Sequence, residues 1–264
     1  MSTVLITGAA GRIGRYLRAG LPEHGFMLRL LDRVPISDEP GAICADINDA
    51  AALAKAMAGA DAVVHLAGLI HTNDPFEEIL KVNMDGTYQV FEAARLAGVE
   101  RIVYASSNHA NGFAPRSANT APGSGDRPDS FYGVSKLFGE ALGRLYADRY
   151  GMKVACLRIG SCFDQPSNPR MLATWLSPAD AARLVAACLR SETLDYAVVY
   201  GLSRNSRRFW DLEPALRLGY EPLDDAEDFA EAVLAAHGGV DPSPSDEPQG
   251  GAAAWVAPRE EPMT

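Results

Sequence analysis

The chain has 264 residues and a formal net charge of −10, long enough for one large domain or one domain with a small appendage. The negative balance disfavours nucleic acid or an anionic membrane as partner, because both require a basic face. No apolar run is long enough to span a bilayer, and the opening MSTVLITGAAG has no charged segment leading to a cleavage site, so a soluble, cytoplasmic protein with no membrane partner is expected.

TVLIT reads as a first buried strand. It runs directly into Gly8, Gly11 and Gly14, spaced GxxGxxG ahead of a helix expected over Arg12 to His24. Glycines there let the backbone turn tightly and approach a pyrophosphate, whose charge is met by amides at the helix N-terminus. MLRLLD is the second strand and ends on Asp32, eighteen residues after Gly14, where a carboxylate accepts hydrogen bonds from the adenosine ribose. That carboxylate repels a 2′-phosphate, so NAD is favoured over NADP, although the adjacent Arg33 is the type of residue that binds such a phosphate.

After the short AIC, Asp46 suits an adenine contact or, equally, the N-cap of a helix over Asn48 to Ala58. AVVHLAG, the fourth strand, places Gly68 at the carboxyl edge of the sheet, where ligands bind in this architecture. His65 lies inside the apolar part and reads as a core residue. A helix over Phe76 to Ala97 leads to RIVYASS, the fifth strand.

The fifth strand ends in SSNHANGF, dense in hydroxyl, amide and imidazole groups. Ser107, Asn108 and His109 there open into the same crevice and suit a sugar-sized substrate. Tyr132 and Lys136 share a face of a helix over Phe131 to Tyr150. The chain has only four Lys, and an ammonium beside a phenol stabilises the phenolate as a general base.

VACLRIG is a further strand. The loop SCFDQPSNPRMLATW then carries Arg170, which could hold a carboxylate through two parallel hydrogen bonds or lie on the surface. A helix over Pro178 to Leu189 and a strand YAVVYG follow. From Asp241 the sequence is rich in Pro, Gly and Ser and is expected to be irregular. The repeated strand and helix order predicts an α/β, doubly wound parallel-sheet Rossmann fold. Residues 1–160 form its nucleotide-binding portion, 161–240 a small substrate-binding portion on the same core, and 241–264 a tail. Cys44, Cys156, Cys162 and Cys188 show no metal or disulfide spacing, and most read as buried thiols.

TGAAGRIG, HLAG, ASSN and YGVSK together resemble the extended short-chain dehydrogenase/reductase superfamily, in its sugar epimerase and dehydratase branch. The resemblance implies Ser107, Tyr132 and Lys136 as catalytic group, Asn83 as structural residue, and cofactor contacts from Arg12, Ile13, Ile47, Leu66, Ala67, Lys136 and Cys162. ASSNHANGF, FYGVSK, RIGSC and NPRMLATWLSPAD are similar, more narrowly, to the uronate dehydrogenases. These oxidise galacturonate and glucuronate with NAD, which implies Ser107, Asn108, His109, Ser161 and Arg170 as substrate contacts. Ile70, His71 and Thr72 occupy a region where that family places a hydroxyl residue on its substrate. Homo-oligomers are common among relatives. The alternatives are an NAD-dependent sugar-phosphate dehydrogenase, a nucleotide-sugar epimerase or dehydratase, and a non-catalytic NAD sensor. Only about a hundred residues follow Gly160, which favours a free sugar over a nucleotide-linked one.

Overall fold

Strands covered on both faces need apolar side chains on both faces, and the strands of this chain are nearly continuous apolar runs. In the computed structural model, which describes residues 2–118, 122–123, 125–238 and 248–257, they form one parallel sheet. Its members are β1 (Thr3–Thr7), β2 (Met27–Asp32), β3 (Ile43–Cys44), β4 (Ala62–His65), β5 (Arg101–Ser107) and β6 (Lys153–Ile159). A two-stranded parallel ladder, β7 (Ser161–Cys162) and β8 (Trp175–Leu176), precedes the last sheet strand, β9 (Tyr196–Gly201). The order β3-β2-β1-β4-β5-β6-β9 is that of a Rossmann fold, and its direction reverses between β1 and β4. A crevice opens at such a switch point, outside the carboxyl ends of the strands.

Helices cover both faces: α1 (Arg12–Gly20), α2 (Ala50–Met57), α3 (Phe76–Ile79), α4 (Gly86–Leu96), α5 (Phe131–Tyr150), α6 (Met171–Thr174) and α7 (Pro178–Arg190). Alternate residues of β1 divide between two cores. Val4 and Ile6 join Leu17 of α1 and Leu184, Val185 and Cys188 of α7. Leu5 joins Leu53 of α2, Phe91 of α4 and Tyr146 of α5. Each fully buried aliphatic side chain contributes about 1.5–3 kcal/mol, so the sheet is the stable frame on which the crevice is built. Helix starts are set by side chains. Asp49 accepts from the amides of Ala51 and Ala52 on α2, Ser130 from Gly133 on α5, and Ser177 from Asp180 on α7.

The structure departs from the expected elements in three places. The first helix ends at Gly20 and continues to His24 as a 3₁₀ turn, because Pro22 has no amide hydrogen to donate. The helix expected over Phe76 to Ala97 contains a π-helical turn, Leu80–Asp85, between α3 and α4, which inserts Asn83 towards the loop after β4. Beyond residue 160 the chain stays on the same core, with β9 paired along β6 and α7 packed against it. Finally, Pro248 to Ala257 of the tail fold back, with Pro248 bridging Pro115 and a 3₁₀ turn at Gly251–Trp255. Buried groups of Gln249 make this segment ordered despite its composition. Residues 241–247 and 258–264 of the expected tail lie outside the described residues.

Candidate active site

Every residue singled out from the sequence for catalysis, cofactor or substrate lines one cavity of about 840 Å³ at the switch point. Its β1 side is a glycine cradle. Gly8 has φ +75°, and a Cβ there would stand 2.5 Å from the Ala67 amide nitrogen; at Gly14 a Cβ would meet the carbonyl oxygens of Gly8 and Ala9 at 2.6 Å. Gly11 caps α1, and among the described residues no side-chain cap hydrogen bond occupies its first turn, which lies in the cavity wall with Arg12 and Ile13. This suits a pyrophosphate. Arg12 stacks its guanidinium 4.0 Å from the ring centre of Phe163. Asp32 ends β2 and accepts from the amides of Ala10 at 2.8 Å and Val34 at 3.0 Å, tying the cradle to the strand that would hold the ribose. Asp46 accepts from the Asn48 amide, whereas the cap of α2 is Asp49. That leaves Asp46 and Ile47 as wall residues, together with Leu66, Ala67 and Gly68. The residues present therefore fit a dinucleotide.

Asn83 spans the gap between the loop after β4 and α5. Its amide oxygen accepts from the Leu69 amide at 2.7 Å, and its nitrogen donates to Leu69 O and to Ser135 Oγ. His65 is a core residue, bridging the hydroxyls of Thr7 and Thr87; burial pushes its pKa down to about 3, so it stays neutral.

α5 presents Tyr132 and Lys136 to the cavity, both buried. Lys136 Nζ donates to Ala105 O at 2.8 Å and lies 5.4 Å from the centre of the Tyr132 ring. Ser107 hydrogen-bonds Tyr132, which favours the phenolate, yet burial dominates and the phenol is pushed up to about 12. Burial likewise brings the Lys136 ammonium down to about 8, against the attraction of Glu140. Desolvation therefore outweighs the mutual support that the spacing suggested.

Asn108 and His109 begin a 3₁₀ turn capped by Ser107. With its amide oriented to donate to Ile159 O, Asn108 accepts from Arg170 Nη2 at 3.1 Å. His109 places its ring edge-on to Tyr132, and Nδ1 pairs with Asp129 Oδ2 at 2.7 Å. Arg170 Nη1 donates to Ser161 Oγ at 3.4 Å, and Ser161 also bonds Thr174. The Cys162 thiol is pushed up to about 12 by burial, which makes it an inert wall residue rather than a nucleophile. Among the described residues no His, Cys, Asp and Glu group could hold a metal ion.

Sequence reasoning missed Asp129, which sits three residues before Tyr132 and could have been found as an acid beside the motif. It also missed Gly250 and Ala253, which line the cavity from the C-terminal segment and leave no local signal. Thr72 faces that segment, donating to Ala253 O at 3.1 Å, while Ile70 lines the cavity mouth.

A parallel sheet with a glycine cradle at its switch point and a buried Tyr and Lys pair beside it defines a dinucleotide-dependent enzyme of the Rossmann class. The chain belongs to the NAD dependent epimerase/dehydratase family, whose model matches residues 4–201. It is 42% identical over 259 residues to the uronate dehydrogenase of Pseudomonas putida, covering 97% of this chain and 96% of that protein. The NAD-dependent glucose-6-phosphate dehydrogenase of Haloferax volcanii is 38% identical over 251 residues, 86% of this chain and 95% of that one. Among solved structures, a mutant of the uronate dehydrogenase of Agrobacterium tumefaciens complexed with NAD has a TM-score of 0.90 at 39% identity, covering 99% of this chain and all of that chain.

Proposed function

We propose that this chain oxidises C1 of a free hexuronic acid, D-galacturonate or D-glucuronate, to the aldaric acid lactone. It is an NAD-dependent dehydrogenase, like the relatives it matches over nearly its full length. The observation that carries the substrate class is Arg170. Among the described residues, neutral oxygens of Ser161, Asn108 and Gln249 orient its guanidinium in the wall of the cavity that also holds Tyr132. A guanidinium so held binds a carboxylate with two parallel hydrogen bonds.

NAD, when bound, supplies the acceptor for the hydride from C1. Gly8, Gly11, Arg12, Ile13, Gly14, Asp32, Asp46, Ile47, Leu66, Ala67, Gly68 and Cys162 hold it, and Lys136 binds its nicotinamide ribose. Tyr132 Oη, as phenolate, takes the proton of the C1 hydroxyl. Ser107 Oγ steadies the reacting oxygen, and the Lys136 ammonium lowers the cost of the phenolate. Asn108, His109 and Ser161 contact sugar hydroxyls, and Arg170 holds the C6 carboxylate.

The four cysteines are free thiols, which suits the reducing cytoplasm where we place the protein. Among the described residues no helix is long and apolar enough to cross a membrane. A homo-oligomer is supported by Phe131, Val134, Phe138 and Leu145, which share one face of α5 and are exposed.

Absorbance at the NADH band tests the reading, with galacturonate, glucuronate, glucose, glucose 6-phosphate and a nucleotide-linked glucuronic acid supplied separately. Reduction of NAD with the free uronates is expected, and none with glucose or the nucleotide-linked acid. The Haloferax volcanii relative favours one second reading, in which Arg170 binds a sugar phosphate. Reduction with glucose 6-phosphate alone would establish it in place of the first.

A further inference from the structure

We infer, resting on the uronate reading above, that Gln249 is a specificity-determining positioning residue which fixes Arg170 in the orientation that takes a substrate carboxylate. Gln249 lies 79 residues from Arg170 in sequence and is fully buried. Its carbonyl oxygen accepts from Arg170 Nη2 at 2.5 Å. The rest of the residue holds that carbonyl still. Its amide nitrogen Nε2 donates to Pro115 O and Ala118 O at 3.2 and 3.0 Å. Its Oε1 accepts from Trp210 Nε1 at 2.9 Å, and its backbone N–H donates to Ala114 O at 2.8 Å. A glutamine anchored at both ends is a rigid acceptor, not a surface loop residue.

The two residues that follow make room for the charged groups of the cavity. Gly251 has φ +68°, and a Cβ there would stand 2.7 Å from Arg170 Cδ and 2.9 Å from Nε. The arginine stem therefore lies against bare backbone. A Cβ on Gly250 would stand 2.2 Å from Asp129 Oδ2, the oxygen that pairs with His109. Pro248 to Val256 thus closes the cavity wall while seating Arg170 directly and His109 through Asp129. A long flexible cation ordered before substrate arrives loses less entropy on binding, and its fork keeps the geometry that distinguishes a carboxylate.

Two variants of the full chain test this. Gln249→Leu removes the side-chain anchors; Gly251→Ala keeps the Gln249 side chain, strains the backbone at φ +68° and pushes on the Arg170 stem. Each should raise KM for the uronate by about tenfold or more, leave kcat within about threefold, and leave the NAD dissociation constant, read by fluorescence titration, within about twofold. Reaction of Arg170 with phenylglyoxal, followed by peptide mass spectrometry, should speed up by about fivefold while Arg12 in the same cavity keeps its rate. A loss of fold would change NAD binding and Arg12 labelling together, and Gly251→Ala then decides the matter alone. Unchanged labelling of Arg170 in either variant that binds NAD as the parent does would overturn the proposal, as would faster labelling with an unchanged KM, since Arg170 would then be held without setting specificity. If the parent chain reduces no NAD with any uronate, the uronate reading fails by itself, and the labelling rates still decide whether Gln249 positions Arg170.

Discussion

Tyr132 and Lys136 are displaced in opposite directions by burial, Tyr132 up to about 12 and Lys136 down to about 8. The working form that the proposed mechanism requires, phenolate beside ammonium, carries as many protons as the dominant form, phenol beside amine. Its share of the singly protonated pair is therefore independent of pH between the two values, and the opposite displacements keep that share small in the free protein. Below about 8 the pair takes up a second proton and the working form falls about tenfold per pH unit. Activity is thus lost as pH falls through the Lys136 value and is level above it. We expect kcat/KM for oxidation to rise with unit slope and flatten near pH 8 in steady-state kinetics. Lys136→Arg, whose guanidinium does not deprotonate, should remove that plateau; a limb that stays near 8 in this variant would assign it to another group. Tyr132→Phe should lower kcat by about 10² to 10⁴-fold, and full turnover would remove Tyr132 from the mechanism. The shared placement of these two residues in one cavity wall was legible in the sequence, because a spacing of four puts them on one helix face. Asp129 and Gln249 were not, because each acts through a partner brought near by the fold rather than by sequence.

The helix that carries the pair is clipped to the sheet by a third residue on its face. Glu140, one turn past Lys136, bonds Arg158 of β6 through Nε at 2.8 Å and Nη2 at 2.6 Å, and accepts from Ser106 Oγ of β5. Arg158 is fully buried and has Asp126 as its other carboxylate partner. Its charge is stable only while both acids stand there, and together they raise its pKa above the usual value. Glu140→Leu would strand half of that charge. We expect a loss of about 3 kcal/mol, read as a lower urea midpoint and a thermal midpoint roughly 6–12 °C down. Because α5 also sets the place of Tyr132, turnover at a temperature where the variant is folded should fall as well. A variant as stable as the parent would mean that Asp126 suffices. At this scale the sequence was a good guide to the strands, since parallel strands buried on both faces must be apolar throughout, whereas the cap of α2 is Asp49 rather than Asp46. It could not show the π-helical turn that aims Asn83 at Leu69, since a one-residue change of winding leaves the apolar pattern almost intact. Nor did it show the ordering of residues 248–257. Their Pro, Gly and Ala content reports only what the backbone permits, and their order depends on carbonyls at Pro115 and Ala118 and the indole of Trp210.

The two halves of the sheet contribute different groups to one cavity. β1 and β2 supply Gly8 and Asp32, while the half running from β4 to β9 supplies Gly68, Ser107 and the helix bearing Tyr132 and Lys136. A dinucleotide bridging the halves binds the folded chain alone, so it must raise the stability of the whole molecule by mass action. At about a hundred times its dissociation constant the gain is about 2.7 kcal/mol, which for a chain of this size is a rise in thermal midpoint of roughly 5–10 °C. The same measurement reads coenzyme choice without any sugar present. Both oxygens of Asp32 are already oriented by the amides of Ala10 and Val34, so the carboxylate cannot swing away from a 2′-phosphate without releasing the glycine cradle. Arg33 also lines the cavity and pulls the other way. The fixed carboxylate wins if NADP needs about tenfold or more the concentration of NAD for an equal rise in midpoint, a discrimination of about 1.4 kcal/mol. Asp32→Asn should shrink that ratio while keeping the acceptor for one amide. Equal midpoints with the two coenzymes in the parent would show that Arg33 offsets Asp32 and that binding confers no preference for NAD over NADP.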